Sequence, residues 1–303
     1  MITNSIKNNI NGILLLDKAL NITSNRALQI VKRLFCAKKA GHTGSLDPLA
    51  TGMLPICLGE ATKFSQYLLE SDKHYRVQVK LGIKTTTGDT EGNVILTKPV
   101  ENLSLAQIEN VLQKFMGVIQ QVPPMFSAIK QNGKPLYELA RQGIEVERAP
   151  RTLTIFNLQC DTLHEDTFYL NVHCSKGTYV RTLVEDIADQ LGTCGHVLKL
   201  HRLCVAPYQQ TKMISFTALE ELYKMGGLSA LYNLLLPIES SVQDLPVVQL
   251  STSSAFYLRT GQPVRVSSLP SQGMVRLYDG TIFIGVGEVT GDGRIVPRRL
   301  IAA

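Results

Sequence analysis

Residues 73–81 carry the clearest pattern in the chain. Tyr75, Val77, Val79 and Leu81 alternate with His74, Arg76, Gln78 and Lys80. A period of two puts the first set on one face of a strand and the second on the other, so Tyr75 is expected to project into the interior. Residues 13–17 read as a short buried strand. Ser24 then fits as the cap of a helix with Ala27, Ile30, Val31, Leu34 and Phe35 on one face and Lys32 and Arg33 outward. Helical spacing returns over 60–69, with Ala61, Phe64 and Leu68 inward, and after Ser104, with Leu105, Ile108, Val111, Leu112 and Phe115. Residues 151–158 and 168–174 read as strands. The turn Ser175-Lys176-Gly177-Thr178 leads into a helix carrying Val180, Leu183, Val184, Ile187 and Leu191 inward, which Gly192 ends. Residues 196–205 return as a strand.

Residues 215–240 form a helical stretch, and 239–246 read as a linker. Beyond it, short strands at 263–266, 274–278 and 282–286 alternate with glycine turns, the pattern of a small all-β module. Strands interrupted by helices suggest an α+β fold on a mixed, largely antiparallel sheet. The predicted domains are 1–245 and 246–303.

Composition narrows the class. The 303 residues are 44% hydrophobic, without an internal repeat or a low-complexity tract. The six cysteines occur singly, never as CxxC, which points to reduced thiols rather than a disulfide framework or a metal site. The apolar run at 13–16 is too short for a signal peptide or a bilayer span, so a soluble, cytoplasmic protein is expected. Net charge is only +6, and its distribution says more. From Lys18 to Leu46 there are six cations (Lys18, Arg26, Lys32, Arg33, Lys38, Lys39) and no acid; residues 251–303 hold six Arg, no Lys and three acids. Arginine-only basicity suits bidentate phosphate contacts.

The basic run ends in residues 41–52, GHTGSLDPLATG. Three glycines and a proline argue for a tight loop rather than a regular element. One carboxylate, Asp47, follows the cations, an arrangement suited to a polyanion on which that carboxylate acts. No Walker A loop, no GxGxxG after a strand and no ligand-like His/Cys/Asp spacing is present, so neither cofactor nor metal is expected.

This loop, with Leu54-Pro55-Ile56-Cys57-Leu58-Gly59-Glu60-Ala61-Thr62-Lys63, resembles the central motif of TruB-type tRNA pseudouridine synthases. Further matching pieces are Lys73-His74-Tyr75-Arg76, residues 82–92 (GIKTTTGDTEG), residues 123–128 (PPMFSA), residues 174–182 (CSKGTYVRT) and residues 196–203. The resemblance spans nearly the whole chain. It implies the pseudouridine-synthase fold for 1–245, a PUA-like RNA-binding module for 246–303, and isomerisation of uridine 55 in the TψC arm of tRNA. It also implies that Asp47 is the nucleophile, that Arg181 favours its ionised form, and that Tyr75 stacks on the target uracil. By pattern alone Arg181 reads as a solvent-facing helix residue and Tyr75 as a core tyrosine. Tyr179, Leu200 and Lys63 are carried over as substrate-binding residues. His42 suits the gap left by a uridine flipped out of its loop. The expected partner is tRNA, bound by a monomer with no obligatory protein partner and no membrane. Two rivals remain at this stage: a guide-RNA-dependent relative working with partner proteins, and a non-catalytic tRNA-binding or folding factor that needs the basic surface but not Asp47.

Overall fold

The computed structural model describes residues 8–101, 103–209, 213–266, 269–270 and 272–302. The chain opens with β1 (Gly12–Lys18), α1 (Ser24–Leu34) and the short β2 (Ala40–His42), then enters β3 (Thr51–Leu58). After a 3-10 turn at Gly59–Phe64 and α2 (Ser65–Glu70) comes β4 (Lys73–Leu81). A hairpin of β5 (Ile83–Thr85) and β6 (Val94–Thr97) follows, then α3 (Leu105–Gln113) and β7 (Gly117–Gln121). A second hairpin, β8 (Lys130–Gln131) and β9 (Lys134–Pro135), leads to α4 (Leu136–Arg141). β10 (Arg151–His164), β11 (Thr167–Cys174), α5 (Val180–Gln190) and β12 (Gly195–Val205) complete an eight-stranded sheet in the order β1-β3-β12-β4-β11-β10-β7, with β2 also on β3. Its pairings are antiparallel except β12 beside β3, which is parallel. The sheet is mixed and largely antiparallel, as expected.

The alternation of β4 is realised: Val77, Val79 and Leu81 are buried between β12 and β11. β3 has no such alternation because both its faces are covered. Leu54, Ile56 and Leu58 join the core under α1, α3 and α5, while Met53 and Cys57 join a second core on the opposite face. A strand buried on both sides reads as a continuous apolar run, here obscured further by Pro55. Pro55 is tolerated because β2 ends beside it, where its carbonyl accepts from Thr43 N at 3.1 Å.

Local signals at two helix starts resolve differently. Ser104 caps α3 through a capping box with Gln107. At α1 the cap is Thr23, whose hydroxyl accepts from Arg26 N, and not Ser24. Ser24 is the first helical residue and buried, free for another partner. The helical pattern over 60–69 splits into the 3-10 turn and α2. Lys73, on the inward face of β4, is buried and donates to Leu69 O at 2.7 Å and to Ser71 O, closing the end of α2.

The 215–240 stretch is helical only in part. α6 (Phe216–Tyr232) contains a break at Gly227, and a 3-10 turn follows at Ile238–Val242. That turn overlaps the expected linker from 239 to 242, yet Ser241 and Val242 are buried. The C-terminal module has β13 (Val247–Leu250), α7 (Thr252–Arg259), β14 (Val264–Arg265), β15 (Gly273–Asp279), β16 (Ile282–Val289) and β17 (Arg294–Leu300) in the order β13-β15-β16-β17-β14. It is therefore not all-β: α7 packs on it, with Ala255 and Leu258 in its core. Phe283 and Val286 of this module sit in the same core as Ile13, Met53 and Phe64, and the Phe64 and Phe283 ring centroids lie 5.7 Å apart.

Candidate active site

Residues 41 and 42 end β2 and residues 51 and 52 begin β3, so only 43–50 of the expected loop lies outside strands. Each edge has a reason. Gly52 (φ +99°) passes so close to β12 that a Cβ there would lie 2.3 Å from Arg202 O. Gly44 takes φ +89°, a left-handed turn open to glycine.

Buried side chains hold the loop backbone at Gly44, Leu46 and Pro48. Arg202, 1% exposed on β12, donates from Nη2 to Gly44 O at 3.1 Å and from Nε to Met53 O at 2.7 Å. Ser24 Oγ accepts from Leu46 N at 2.7 Å and donates to Leu46 O at 3.0 Å. Lys18 Nζ donates to Ile22 O at 2.7 Å, to Ala19 O at 3.0 Å and to Pro48 O at 3.4 Å. Pro48 O also accepts from Asn21 N, and Ala50 N donates to Asp47 O. A carboxylate on so constrained a loop is held in place before any ligand arrives.

Asp47 faces Arg181 near the start of α5, with Nε 2.9 Å from Oδ2. The Arg181 side chain is 6% exposed, against 40% for Asp47, so the pair is a buried cation beneath a carboxylate that still reaches the opening. Arg181 is satisfied on every side: Nη1 donates to Thr87 O at 2.6 Å, Nη2 to Phe126 O at 2.7 Å, and Asp89 Oδ2 lies 3.8 Å from Nε. Asp89 is itself buried and held by Thr87 Oγ1 at 2.5 Å and Glu91 N at 3.0 Å. Loss of water raises the Asp47 pKa above its ordinary value; the Arg181 guanidinium opposes that rise and the Asp89 charge adds to it.

The other expected residues separate into groups. Tyr75 lies opposite Arg202 in the β4–β12 register, and Leu200 opposite Val77, so both share the face that meets Arg202. Burial raises the Tyr75 phenol, against the pull of Arg202, and the Asp47 charge adds to the rise. Tyr179 caps α5; the Gln121 side chain clasps its main chain, accepting from N at 2.8 Å and donating to O at 3.1 Å. The Asp47 charge is felt at Tyr179 as well. His42 sits at the end of β2, its pKa lowered by burial and then by Arg202, with Nδ1 buried and unpartnered among the described residues. Lys63 is elsewhere: it lies 2.6 Å from Glu60 and donates to Leu300 O at 3.0 Å, on the junction with the C-terminal module.

Two charge expectations change. Lys18 is fully buried under the loop, so of the six cations before Asp47 it faces no polyanion; burial lowers its pKa to about 8. In the C-terminal module Arg276 donates to Leu245 O, and Arg294 and Arg298 pair with Asp292 and Glu288. Sequence reasoning did not single out Arg202, Asp89 or Ser24 as site residues. Asp89, inside the matching 82–92 segment, and Arg202, inside the matching 196–203 segment, each left a signal; Ser24 left none beyond its capping pattern. Among the described residues no group of three or more His, Cys, Asp or Glu is placed to hold a metal ion, and no helix is long and apolar enough to cross a membrane.

The model for the TruB family pseudouridylate synthase N-terminal domain matches residues 32–180. Two TruB C-terminal models match residues 181–243 and 246–301. The chain belongs to the TruB family. A tRNA pseudouridine synthase B of Coxiella burnetii (strain RSA 493 / Nine Mile phase I) is 53% identical over 97% of this chain and 96% of its own length. One of Pseudomonas fluorescens (strain Pf0-1) is 54% identical over 98% and 97%. The fold is shared with a chain of an H/ACA RNP bound to a substrate RNA containing 2′-deoxyuridine, at a TM-score of 0.75 and 20% identity over 96% of this chain and 85% of that one. A chain of a Cbf5-Nop10-Gar1 complex gives 0.70 and 23% over 92% and 78%. The TruB N-terminal match contains Asp47, Tyr75 and Tyr179 and ends one residue before Arg181.

Proposed function

We propose that this chain converts uridine 55 in the TψC arm of tRNA to pseudouridine, acting alone as a cytoplasmic monomer, with Asp47 as the nucleophile. The observation that supports this reading is the Asp47–Arg181 pair: a carboxylate at the opening, above a buried guanidinium 2.9 Å away. In the reaction the bond from ribose C1′ to uracil N1 breaks and one from C1′ to C5 forms; C5 loses a proton and N1 gains one. Nothing is oxidised or reduced, so no cofactor is needed. An ionised Asp47 can attack the ribose or the ring, or help remove the 2′ proton; the net change is the same. Tyr75 offers a ring against which the detached base can turn. Tyr179 and Leu200 line the pocket, and His42 fills the space that the flipped uridine leaves in the RNA. Residues 246–303 hold the rest of the tRNA through exposed arginines such as Arg259, Arg265 and Arg299.

The test is incubation of the purified protein with one unmodified tRNA, followed by mapping of pseudouridine. Conversion at position 55 alone is expected. No conversion until a guide RNA or partner protein is added would place the chain with the guided enzymes. Tight binding without conversion would make it an RNA-holding factor.

A further inference from the structure

Among the described residues the largest fully buried side chain is a cation without a counterion. Arg202, on β12, makes no ion pair with any of their carboxylates. Its fork ends on two main-chain carbonyls, Met53 O and Gly44 O. Arg181 is buried as well, but Asp47 and Asp89 lie against it. Lys18 and Lys73 share the burial, which lowers each to about 8, and the Arg202 charge adds to the fall. An ammonium can thus shed its proton; a guanidinium cannot.

A charge taken out of water without a carboxylate is costly. Holding two carbonyls does not require it, since the neutral amide of a glutamine carries two donors. The charge itself therefore needs a use, and its position supplies one. Tyr75 lies directly opposite Arg202 in the β4–β12 register, and Leu200, two residues earlier on β12, shares the face. Both belong to the recess proposed to take the base.

The reaction puts an anion in that recess. When Asp47 attacks C1′, or the 2′ proton is removed, the electron pair of the C1′–N1 bond leaves with N1 and the detached uracil is negative. When Asp47 adds to the ring, the charge forms instead as an enolate through C5 and O4. By every route it falls as C1′ joins C5, after which C5 gives up its proton and N1 gains one.

We propose that Arg202 is a positioning residue for the isomerisation, whose uncompensated charge beside Tyr75 stabilises the negative charge that develops on the uracil. It acts through the field in the recess and not by contact with the base. The inference rests on the proposed function.

Gly44 allows a test that leaves Arg202 and its bonds in place. A Cβ there would lie 3.6 Å from Arg202 Nη1. Gly44→Asp sets a carboxylate beside the guanidinium; Gly44→Asn sets a neutral group of the same shape on the same left-handed backbone, so strain cancels between the two. Each is assayed in single turnover at saturating enzyme, on tRNA carrying uridine or 5-fluorouridine at position 55. Fluorine stabilises the anionic base, which then needs less help from the protein. Because that C5 has no proton to lose, its reaction is followed as loss of the N-linked nucleoside. Gly44→Asp should be about tenfold slower than Gly44→Asn on uridine, but within about threefold of it on 5-fluorouridine. Arg202→Lys and Arg202→Gln form a second pair, in which Gln should be about a hundredfold slower than Lys on uridine, again with a smaller gap on the fluorinated base. Whichever pair folds decides. Equal rates within a folded pair on uridine, or gaps of equal size on the two bases, would overturn the proposal and leave Arg202 as a clamp on the loop. A wild type that converts neither base overturns the proposed function and this inference with it; one that converts uridine while its variants show equal gaps overturns the inference alone.

Discussion

Asp47 and Glu60 each sit beside a cation, and their acidities move in opposite directions. In the recess, Arg181 Nε is 2.9 Å from Asp47; at the junction with the C-terminal module, Lys63 Nζ is 2.6 Å from Glu60. The Ala302 N–H and the Lys63 ammonium hold the Glu60 carboxyl below its usual range. Asp47 is raised, because burial outweighs Arg181 and the nearby Asp89 adds repulsion. The difference lies in water and in divided loyalty. Arg181 also serves Thr87 O, Phe126 O and the Asp89 side, whereas Glu60 has the Ala302 N–H and an ammonium shared with Leu300 O, and no second carboxylate beside it in these contacts. A carboxylate left short of stabilisation keeps reactivity to spend on a substrate; one fully tied off is a structural clasp.

Asp47→Asn should break the recess side of this contrast most severely. The amide keeps the carboxylate's shape but has no charge and a poorly nucleophilic oxygen, so conversion should fall to background while tRNA affinity stays within about tenfold, roughly 1.4 kcal/mol. A folded variant retaining more than a few per cent of the rate would remove Asp47 as nucleophile. The raised pKa adds a signature in pH. A carboxyl whose pKa is raised in the fold binds its proton more tightly there than in the unfolded chain. Its ionised form therefore costs stability, a cost that grows as pH rises through the raised pKa and is complete above it. Asp47→Asn should accordingly melt at or above the wild-type temperature at neutral pH, with the gap closing on acidification. The acid limb of the single-turnover rate should lie above the ordinary Asp pKa of 3.8.

Arg181→Lys should come next. An ammonium cannot reach Asp47, Thr87 O and Phe126 O together, so the rate should drop at least about a hundredfold, roughly 2.7 kcal/mol. A rate within tenfold of wild type would mean that only net charge matters at that position. Tyr75→Leu should cost more activity than Tyr75→Phe, because a ring is needed for stacking. Equal losses in folded variants would instead make the Tyr75 phenol a proton carrier.

The same contrast explains what could be read along the chain. β4 was legible because one face is buried and the other wet, which leaves a period of two. β3 was not, because two cores cover it. Thr23 and Ser24 are both competent caps, and only the extended geometry at Thr23 assigns the role, releasing Ser24 to hold Leu46. Arg181 and Lys18 look like surface cations in sequence. Their burial depends on carbonyls contributed by loops up to 94 residues away, which no local pattern encodes. Lys63 follows the family motif, and besides Glu60 its neighbour in space is Leu300, at the far end of the chain.

Lys63→Gln tests the junction side, and its effect should be the smallest. The side chain is 33% exposed and pairs with Glu60, a setting in which an ion pair contributes about 0–1 kcal/mol. The variant also weakens the tie to Leu300 O and leaves Glu60 with only Ala302 N. Thermal stability should fall by no more than about 1 kcal/mol, and high salt should shrink the difference, since an exposed pair is screened. The single-turnover rate at saturating enzyme should stay within about twofold of wild type, because Lys63 contacts Glu60 and Leu300 O and neither contact leads to Asp47. A loss of tenfold or more in that rate, with the melting temperature unchanged, would show that Lys63 leaves Glu60 when RNA binds and joins the recess. The division between an under-stabilised pair in the recess and a tied-off one at the junction would then hold only for the free protein.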